Sequence, residues 1–354
     1  MDKATLEATV RGESDTPAVN DADCSGGDYR DARLGGGLFH KTSFRGANLS
    51  GAWCKDAQFI HCDFRDAHMD GADFRVATLI GCDLSGSRWH GTELEGASVL
   101  KCELKGTELR GGSLSDTSFI ECGMTEIWFA PSVGAQVQLV SCNLGRSRFA
   151  GARLYRPNFI EAQSEGLDFG GAELDGPFFM KMDFGGWDFR DVSMSRPQFH
   201  DCVLDGATLR DMDLTQIGLV RTSAERADFT GSRLDSANFV EARLRHAGFA
   251  GTSLGQALML SAELQDADFT GARMKQAQLT STKCTRARFT DADLTYVDLS
   301  HADLVDADLR NATLYEANLH EIEDARANWR GADRSAARET DEARKRAESF
   351  DREA

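Results

Sequence analysis

Apolar residues recur at every fifth position along most of the chain. The series begins at Tyr29 and keeps one phase, without insertion or deletion, as far as Trp329. Most members are Leu, Phe or Met, and the clearest exceptions are Cys54, Gly134, Ser164, Ala224, Cys284 and Asp324. A period of five matches neither an α-helix nor a regular β-strand, so the pattern predicts a different repeating element.

A small residue, most often Ala, lies two positions before each of these apolar residues, and Asp or Asn often stands between them, as in GANL, GADF and DADL. Two side chains spaced by two positions point to the same side of an extended segment. The remaining two positions are rich in Gly, Asp and Asn, which tolerate the positive φ angles of tight turns. The unit therefore predicts a very short strand followed by a turn.

Five cysteines follow one another at intervals of twenty residues: Cys62, Cys82, Cys102, Cys122 and Cys142. Four five-residue segments arranged as a square coil would stack these side chains in one inward column. We interpret them as a core ladder in which thiols act as small apolar groups. Parallel side chains in a column do not converge on one point, as a metal site requires.

The repeated units over residues 29–329 resemble the pentapeptide-repeat family. The resemblance implies an all-β fold, a right-handed quadrilateral β-helix of about fifteen coils. Phrases such as FIHCDF resemble in particular the Qnr and MfpA group of quinolone-resistance proteins. That likeness implies a non-catalytic, homodimeric rod that mimics DNA, binds DNA gyrase or topoisomerase IV, and protects it from a topoisomerase poison. The biological role would be antibiotic resistance or self-resistance of a producer.

An apolar column occupies the position after the centre of one side, where solvent-facing residues are expected. Large exposed apolar surfaces mark interfaces, so we expect either a homodimer or partner-docking stripe or mutual covering of bulky neighbours. Its members are Ile60, Ile80, Leu100, Ile120, Val140, Ile160 and Met180.

The net charge of −17 disfavours direct binding to nucleic acid and suits a partner that normally binds an anion. No apolar run reaches the length of a membrane span, and the N-terminus lacks the apolar segment of a signal peptide. The cysteines are not in zinc-site pairs, and we expect a cytoplasmic protein. Motifs for phosphate binding, nucleophilic catalysis and metal binding are missing, so we expect no enzyme activity, cofactor or metal. Four scattered histidines occupy outward positions: His40, His61, His200 and His301.

The two ends differ from the repeats in composition. Residues 1–28 are polar and are expected to form an N-terminal cap or a flexible tail. Residues 330–354 are rich in Ala, Arg and Glu with charges four apart, which predicts a C-terminal helix that caps the last coil or contacts a second chain.

Two segments are candidates for partner binding. Residues 291–324 carry a net charge of about −9, whereas residues 29–288 carry about −4. The segment EIWFAPSVGAQ at 126–136 is the most irregular, and we expect Trp128 to point outward there. Large residues in small-residue positions nearby favour either volume compensation in the core or a local bulge. The candidate binding residues are Asp291, Asp293, Asp298, Asp303, Asp306, Asp308, Glu316 and Trp128. The residues also leave open a generic interaction scaffold with no topoisomerase role.

Overall fold

A computed structural model of the chain describes residues 1–12 and 18–350. These residues divide into two compact units, each of which is a parallel β-solenoid. The first unit comprises Met1–Met182 and Asp191–Met194, and the second comprises Asp183–Arg190 and Ser195–Ala354. The all-β architecture confirms the fold class predicted from the repeats.

The regular elements are short, as a five-residue unit requires. The helices are α1 (Lys3–Val10) and α2 (Glu342–Phe350). The strands in the first half of the series are β1 (Ala18–Asn20), β2 (Leu38–His40), β3 (Gln58–Ile60), β4 (Thr78–Ile80), β5 (Arg88–His90), β6 (Ser98–Leu100), β7 (Glu108–Arg110), β8 (Ser118–Ile120) and β9 (Trp128–Ala130). The others are β10 (Gly134–Ala135), β11 (Gln138–Val140), β12 (Arg153–Tyr155), β13 (Asn158–Ile160), β14 (Glu173–Asp175), β15 (Phe178–Met180), β16 (Ser193–Ser195) and β17 (Gln198–His200).

Each coil has four sides, and each side pairs in parallel with the segment twenty residues further on. In the first unit, the first side carries β1, β2, β3, β4, β6, β8, β11, β13 and β15 in that order. The third side contains β5, β7 and β9, and the fourth side contains β10, β12 and β14. The second side is formed by single bridges such as Ser43↔Asp63. In the second unit, bridges continue in the same steps from Gln198↔Gly218 to Asn318↔Arg338.

The centre of each side points into the coil, where like residues stack. Phe249, Phe269 and Phe289 lie with successive ring centroids 4.8 and 5.0 Å apart and with interplanar angles of 3° and 2°. All three rings are fully buried. The five-residue period of apolar side chains therefore produces continuous columns in the core, where apolar burial and close packing stabilise the fold.

The Asp of the repeat unit has a structural role at the turn. The carboxylate of Asp63 accepts a hydrogen bond from the backbone N–H of Arg65 at 3.0 Å, and Asp293 does the same for Thr295. The turn that follows contains a residue with positive φ, for example Gly71 at +66°. This explains why Asp or Asn precedes the centre and why Gly, Asp and Asn are frequent in the turn.

The irregular part of the core compensates for volume. Gly134 occupies a centre that is apolar in most coils, and an added Cβ there would lie 2.4 Å from Cδ2 of Leu154. The Leu154 side chain in the next coil therefore fills the space that Gly134 leaves empty. This observation favours the volume-compensation interpretation of the stretch, because a larger residue at this centre would clash.

Helix α1 packs against the start of the first unit. Leu6 and Val10 of α1 are buried, and the Glu7 carboxylate accepts a hydrogen bond from the backbone N–H of Arg33 at 2.8 Å. Within residues 1–12 and 18–350 no strand precedes β1, and α1 supplies an acceptor of the kind that a preceding coil provides elsewhere. Pairing begins at β1, before the boundary expected at residue 29, and residues 13–17 of the expected cap lie outside the described residues.

The second unit ends in the predicted helix, but later than expected. Coil pairing continues beyond residue 329 to Arg338. Helix α2 then begins at Glu342, and the Asp341 carboxylate accepts hydrogen bonds from the N–H groups of Ala343 and Arg344 at 2.8 and 3.1 Å. This is an N-terminal cap of the usual kind. Residues 351–354 of the expected helical segment lie outside the described residues.

Candidate functional site

The predicted docking stripe is one continuous column on the first side of the first unit. Its neighbours are Cα partners in successive strands, for example Ile60 with Ile80 and Ile160 with Met180. All seven side chains are half-buried. The register therefore brings them together, while their role as a dimer or docking contact stays a prediction.

The segment that contains Trp128 departs from the regular coil because the chain passes unusually close to Gly112. The carbonyl of Gly112 accepts hydrogen bonds from the N–H groups of both Ser132 and Val133, at 3.1 and 3.2 Å. Gly112 has a φ of +64°, and an added Cβ would lie 2.0 Å from the carbonyl oxygen of Thr92. Only glycine fits this position, and the irregular loop after β9 depends on it.

Trp128 lies half-buried at the side of an open cleft of about 480 Å³. The guanidinium carbon of Arg110 lies 4.0 Å from the centroid of the Trp128 ring, in a cation–π contact. Beside it, His90 Nε2 is 2.7 Å from Glu108 Oε2. His90, Arg110, Ala130 and Ala150 occupy the same position in four successive coils. The cleft lies where the large side chains of this column are replaced by the two alanines.

The predicted acidic site residues do not form one patch. Within the second unit, Asp293, Asp298, Asp303 and Asp308 lie on four different sides of one coil, as their bridge partners show. The turn residues Asp291, Asp306 and Glu316 lie between sides. The structure therefore places these carboxylates around the coil instead of on a single face.

Several of these carboxylates are engaged within the chain. Asp306 forms an ion pair with Arg326 at 2.5 Å, and Asp308 forms one with Arg310 at 2.6 Å. The arginine hydrogen bonds lower the pKa of both carboxyl groups. Burial opposes ionisation of Asp298, but hydrogen bonds from Ser300 and Asn318 lower the pKa of that carboxyl as well. Other members bind turn amides or neighbouring side chains, as Asp291 accepts from Asn311 at 2.9 Å.

Charges alternate along columns of the second unit, a feature missed in the sequence. Arg286 pairs with Asp266 at 2.7 Å in the preceding coil, and Lys283 pairs with Glu263 at 2.9 Å. Residues 271–290 hold five cationic and no acidic side chains, whereas residues 291–310 hold six aspartates and one arginine, which gives −6 + 1 = −5. A comparison of the charges of residues twenty positions apart would have found this alternation. Net charges summed over long segments of the sequence do not show it.

The cysteine column lies inside the first unit. Cys62, Cys82, Cys102, Cys122 and Cys142 are buried and are free thiols. The Cys82 Sγ donates to the carbonyl of Phe59 in the preceding coil at 3.3 Å. These contacts are with the backbone and with neighbouring thiols, as expected for groups that fill the core.

A cluster of His301, His320 and Glu348 joins the last coils of the second unit to α2. The Glu348 Oε2 is 3.1 Å from His301 Nε2 and 3.3 Å from His320 Nε2. The buried His320 accepts a hydrogen bond at Nδ1 from the backbone N–H of Asp341, 3.1 Å away. A neutral imidazole that accepts at Nδ1 carries its proton on Nε2 and donates from there. Coordination of a metal by that nitrogen would place the proton on Nδ1, facing the Asp341 N–H, so the geometry favours a hydrogen-bonded latch.

A comparison with protein families finds the family described as pentapeptide repeats, in eight copies. The matches cover residues 54–88, 225–259, 237–276, 261–295, 272–311 and 292–322. Among curated proteins, no match was found.

Several solved structures also match the chain over part of its length. HetL from the cyanobacterium Nostoc sp. strain PCC 7120, a pentapeptide repeat protein involved in heterocyst differentiation regulation, is 24% identical, with a TM-score of 0.36 and coverage of 65% of this chain and 89% of HetL. A trypsin-treated QnrB1, a plasmid-mediated fluoroquinolone resistance protein, is 16% identical, with a TM-score of 0.40 and coverage of 51% and 88%. A pentapeptide repeat protein of the Arabidopsis thaliana thylakoid lumen is 25% identical, with a TM-score of 0.23 and coverage of 35% and 66%.

Neither helix in the described part of the chain is long and apolar enough to cross a membrane. The matched repeats lie in both units, and the coils beside them keep the same twenty-residue register. Pentapeptide repeats are therefore present in both units of the chain.

Proposed function

We propose that this protein acts without catalysis, by binding a protein partner, and that the partner is DNA gyrase or topoisomerase IV. In this proposal the protein protects the topoisomerase from a poison that traps it on DNA, in antibiotic resistance or self-resistance. The proposal combines the resemblance of the repeats to the Qnr and MfpA group with the charge of one coil in the second unit.

The observation that carries the proposal is the acidic coil of residues 291–310. Its net charge of −5 is distributed over four sides and two turns, so the acidic side chains lie all around the coil. Duplex DNA carries about one charge per 1.7 Å, or roughly three per coil rise of about 4.8 Å. This coil therefore reaches the charge density that a DNA-binding groove attracts.

The neighbouring coil limits how far such mimicry extends. Residues 271–290 carry +5 and lie one strand spacing away, about 4.8 Å, which is less than the screening length of about 8 Å at physiological salt. The fields of the two coils cancel over much of the surface. We therefore confine the DNA-like contact to residues 291–324, in which residues 311–324 add four acidic and no basic side chains, and not to the full length of either unit.

A supercoiling assay with gyrase or topoisomerase IV and a fluoroquinolone tests the proposal. We expect wild-type protein to restore supercoiling at micromolar concentration, and we expect the double variant Asp293→Asn, Asp303→Asn to do so less well. Asparagine keeps the oxygen that accepts the turn N–H and removes only the charge. The matched control is Asp28→Asn, Asp73→Asn in the first unit, where both aspartates serve the same kind of turn. A wild-type protein that neither rescues nor inhibits either enzyme contradicts the topoisomerase role.

The alternating charges favour a second candidate, an interaction scaffold with no topoisomerase role. The column of Asp266, Arg286, Asp306 and Arg326 presents charges of both signs. A mixed surface of this kind suits a protein partner with its own mixed charges better than it suits a DNA-binding groove. A folded protein that leaves both topoisomerases unchanged, with and without the poison, supports this alternative.

A further inference from the structure

We propose that the cleft beside Trp128 binds a carboxylate side chain from an acidic segment of the partner protein. The inference deepens the proposed function, since it rests on a protein partner, but it concerns a different surface from the acidic coil. It is argued from Arg110 and Trp128, which line the cleft, and from Arg148, the bridge partner of Trp128 in the next coil.

The free polar groups at the cleft are donors. Arg110 covers the Trp128 ring and has no ion-pair partner among the residues that the structure describes. Arg148, the partner of Trp128 in the next coil, likewise has no ion pair within the described ranges. The nearby acceptor, Glu108, is already engaged by His90 at 2.7 Å. Guanidinium and indole groups have no acceptor, so this surface selects an acceptor-rich, negatively charged group.

Trp128 adds a second, independent observation. Its indole nitrogen is buried, and it has no hydrogen-bond acceptor in the described part of the chain. A buried donor without an acceptor is destabilising, and such groups are uncommon in folded proteins. By contrast, the indole N–H of the buried Trp89, two coils earlier on the same side, donates to Ser87 Oγ at 2.7 Å. In the proposed complex, the bound carboxylate supplies this missing acceptor.

The cleft is matched to a side chain on a protein surface. It is open to solvent and is lined in part by Ala130 and Ala150. A guanidinium binds a planar carboxylate through two parallel hydrogen bonds, and the exposed Arg110 lies against the Trp128 ring at the cleft. A phosphate group offers similar acceptors, so pyrophosphate and a DNA duplex are the competitors that distinguish it from a carboxylate. We assign the site to glutamate or aspartate within a partner segment, because the planar guanidinium matches the planar carboxylate.

Fluorescence anisotropy with labelled hexaglutamate and the full-length protein, at about 50 mM salt, tests the inference. We expect saturable binding that Arg110→Gln weakens about tenfold and that Trp128→Phe weakens about threefold, since phenylalanine keeps the ring and removes the N–H donor. Arg30→Gln is the matched control. Arg30 stands in the same column as Arg110 but is paired with Asp28 at 2.6 Å, and its replacement removes the same charge. We expect this control to bind like wild type.

The outcomes separate the inference from general electrostatics and from the proposed function. Equal losses in Arg110→Gln and Arg30→Gln overturn it, as does the failure of hexaglutamate to bind. Competition by inorganic pyrophosphate or a short DNA duplex that equals competition by unlabelled hexaglutamate also overturns it. If hexaglutamate binding follows the expected variants but gyrase is not protected, the inference stands and the topoisomerase proposal fails. If wild type and Arg110→Gln protect gyrase equally and hexaglutamate does not bind, the topoisomerase proposal stands and the inference about the cleft fails.

Discussion

The backbone N–H of Cys82 donates a hydrogen bond to the Sγ of Cys102, 3.3 Å away in the next coil. The same inward slot holds threonine elsewhere in both units. The Thr42 hydroxyl donates to the carbonyl of Val19 at 3.3 Å, and the Thr222 hydroxyl donates to that of Phe199 at 3.0 Å. The slot therefore accepts a small side chain with a donor, whether thiol or hydroxyl.

Replacement of Cys82 tests this description of the slot. We expect Cys82→Thr to change the free energy of unfolding by less than about 1 kcal/mol, because Thr42 and Thr222 already satisfy the same geometry. Cys82→Leu adds atoms to a closed column and is expected to cost about 1–3 kcal/mol. Urea unfolding followed by circular dichroism measures both. Equal destabilisation by the two variants would show that the thiol itself is required.

The loop beside Trp128 predicts unequal effects at two glycines. Gly112→Ala is expected to destabilise the protein by more than 3 kcal/mol, because the new Cβ would lie 2.0 Å from the Thr92 carbonyl oxygen. Gly106→Ala is the control: Gly106 also has positive φ, +67°, but its Cβ would meet no atom within 4 Å. That change is expected to cost about 1–2 kcal/mol, the usual penalty for an L-residue in this conformation. Thermal unfolding measures the stability of both variants. Similar losses of stability in Gly112→Ala and Gly106→Ala would contradict the close approach at Gly112.

Much of the fold could be predicted from the sequence because the coil is a local repeat. A period of five determines the strand, the turn and the buried centre, and twenty-residue spacing determines the columns. The helical conformation of α1 within residues 1–28 was not predicted in this way. Leu6 and Val10 are buried against a coil that begins at β1, and the two segments are separated by polar residues that do not follow the repeat. The burial of isolated apolar residues depends on tertiary packing, which periodicity does not report.

The candidate surfaces were less predictable than the core. Trp128 could be selected as irregular, but its contact with Arg110 depends on two neighbouring columns of one side, in successive coils. The acidic segment was found from net charge, yet its partners Arg310 and Arg326 lie two and twenty residues away from the aspartates they bind. The latch at Glu348 joins residues 28 and 47 positions apart in sequence. Contacts of this kind follow from the folded backbone and not from a local motif.

The latch between Glu348 and the last coils predicts a pH dependence. The Arg344 hydrogen bond lowers the pKa of the Glu348 carboxyl below its usual 4.5, despite some loss of hydration, and His320 contributes in the same direction. A carboxyl group with a lower pKa in the folded state stabilises that state above the pKa of the unfolded form. This stabilisation is lost as the pH falls through the folded-state value. We therefore expect α2 to detach from the coils below about pH 4.5.

Hydrogen exchange of residues 342–350 at pH 5.5 and pH 3.5, corrected for the intrinsic pH dependence, measures this detachment. Wild type is expected to lose protection at the lower pH, while Glu348→Gln is expected to show weak protection at both. The buried coil around Phe249 in the same unit serves as the internal reference for global unfolding. Protection of α2 that is unchanged in Glu348→Gln would contradict the role of this carboxylate.

Every surface in this account depends on coils of twenty residues, and crosslinking tests that spacing most directly. Gln58 and Thr78 are Cα partners on one side, whereas Gln58 and His68 lie on different sides of one coil. The natural cysteines are buried, so a short bismaleimide can address an introduced pair. The coil predicts an intramolecular crosslink in Gln58→Cys, Thr78→Cys and none in Gln58→Cys, His68→Cys, although the second pair is closer in sequence. Efficient crosslinking of the second pair and not the first would contradict it.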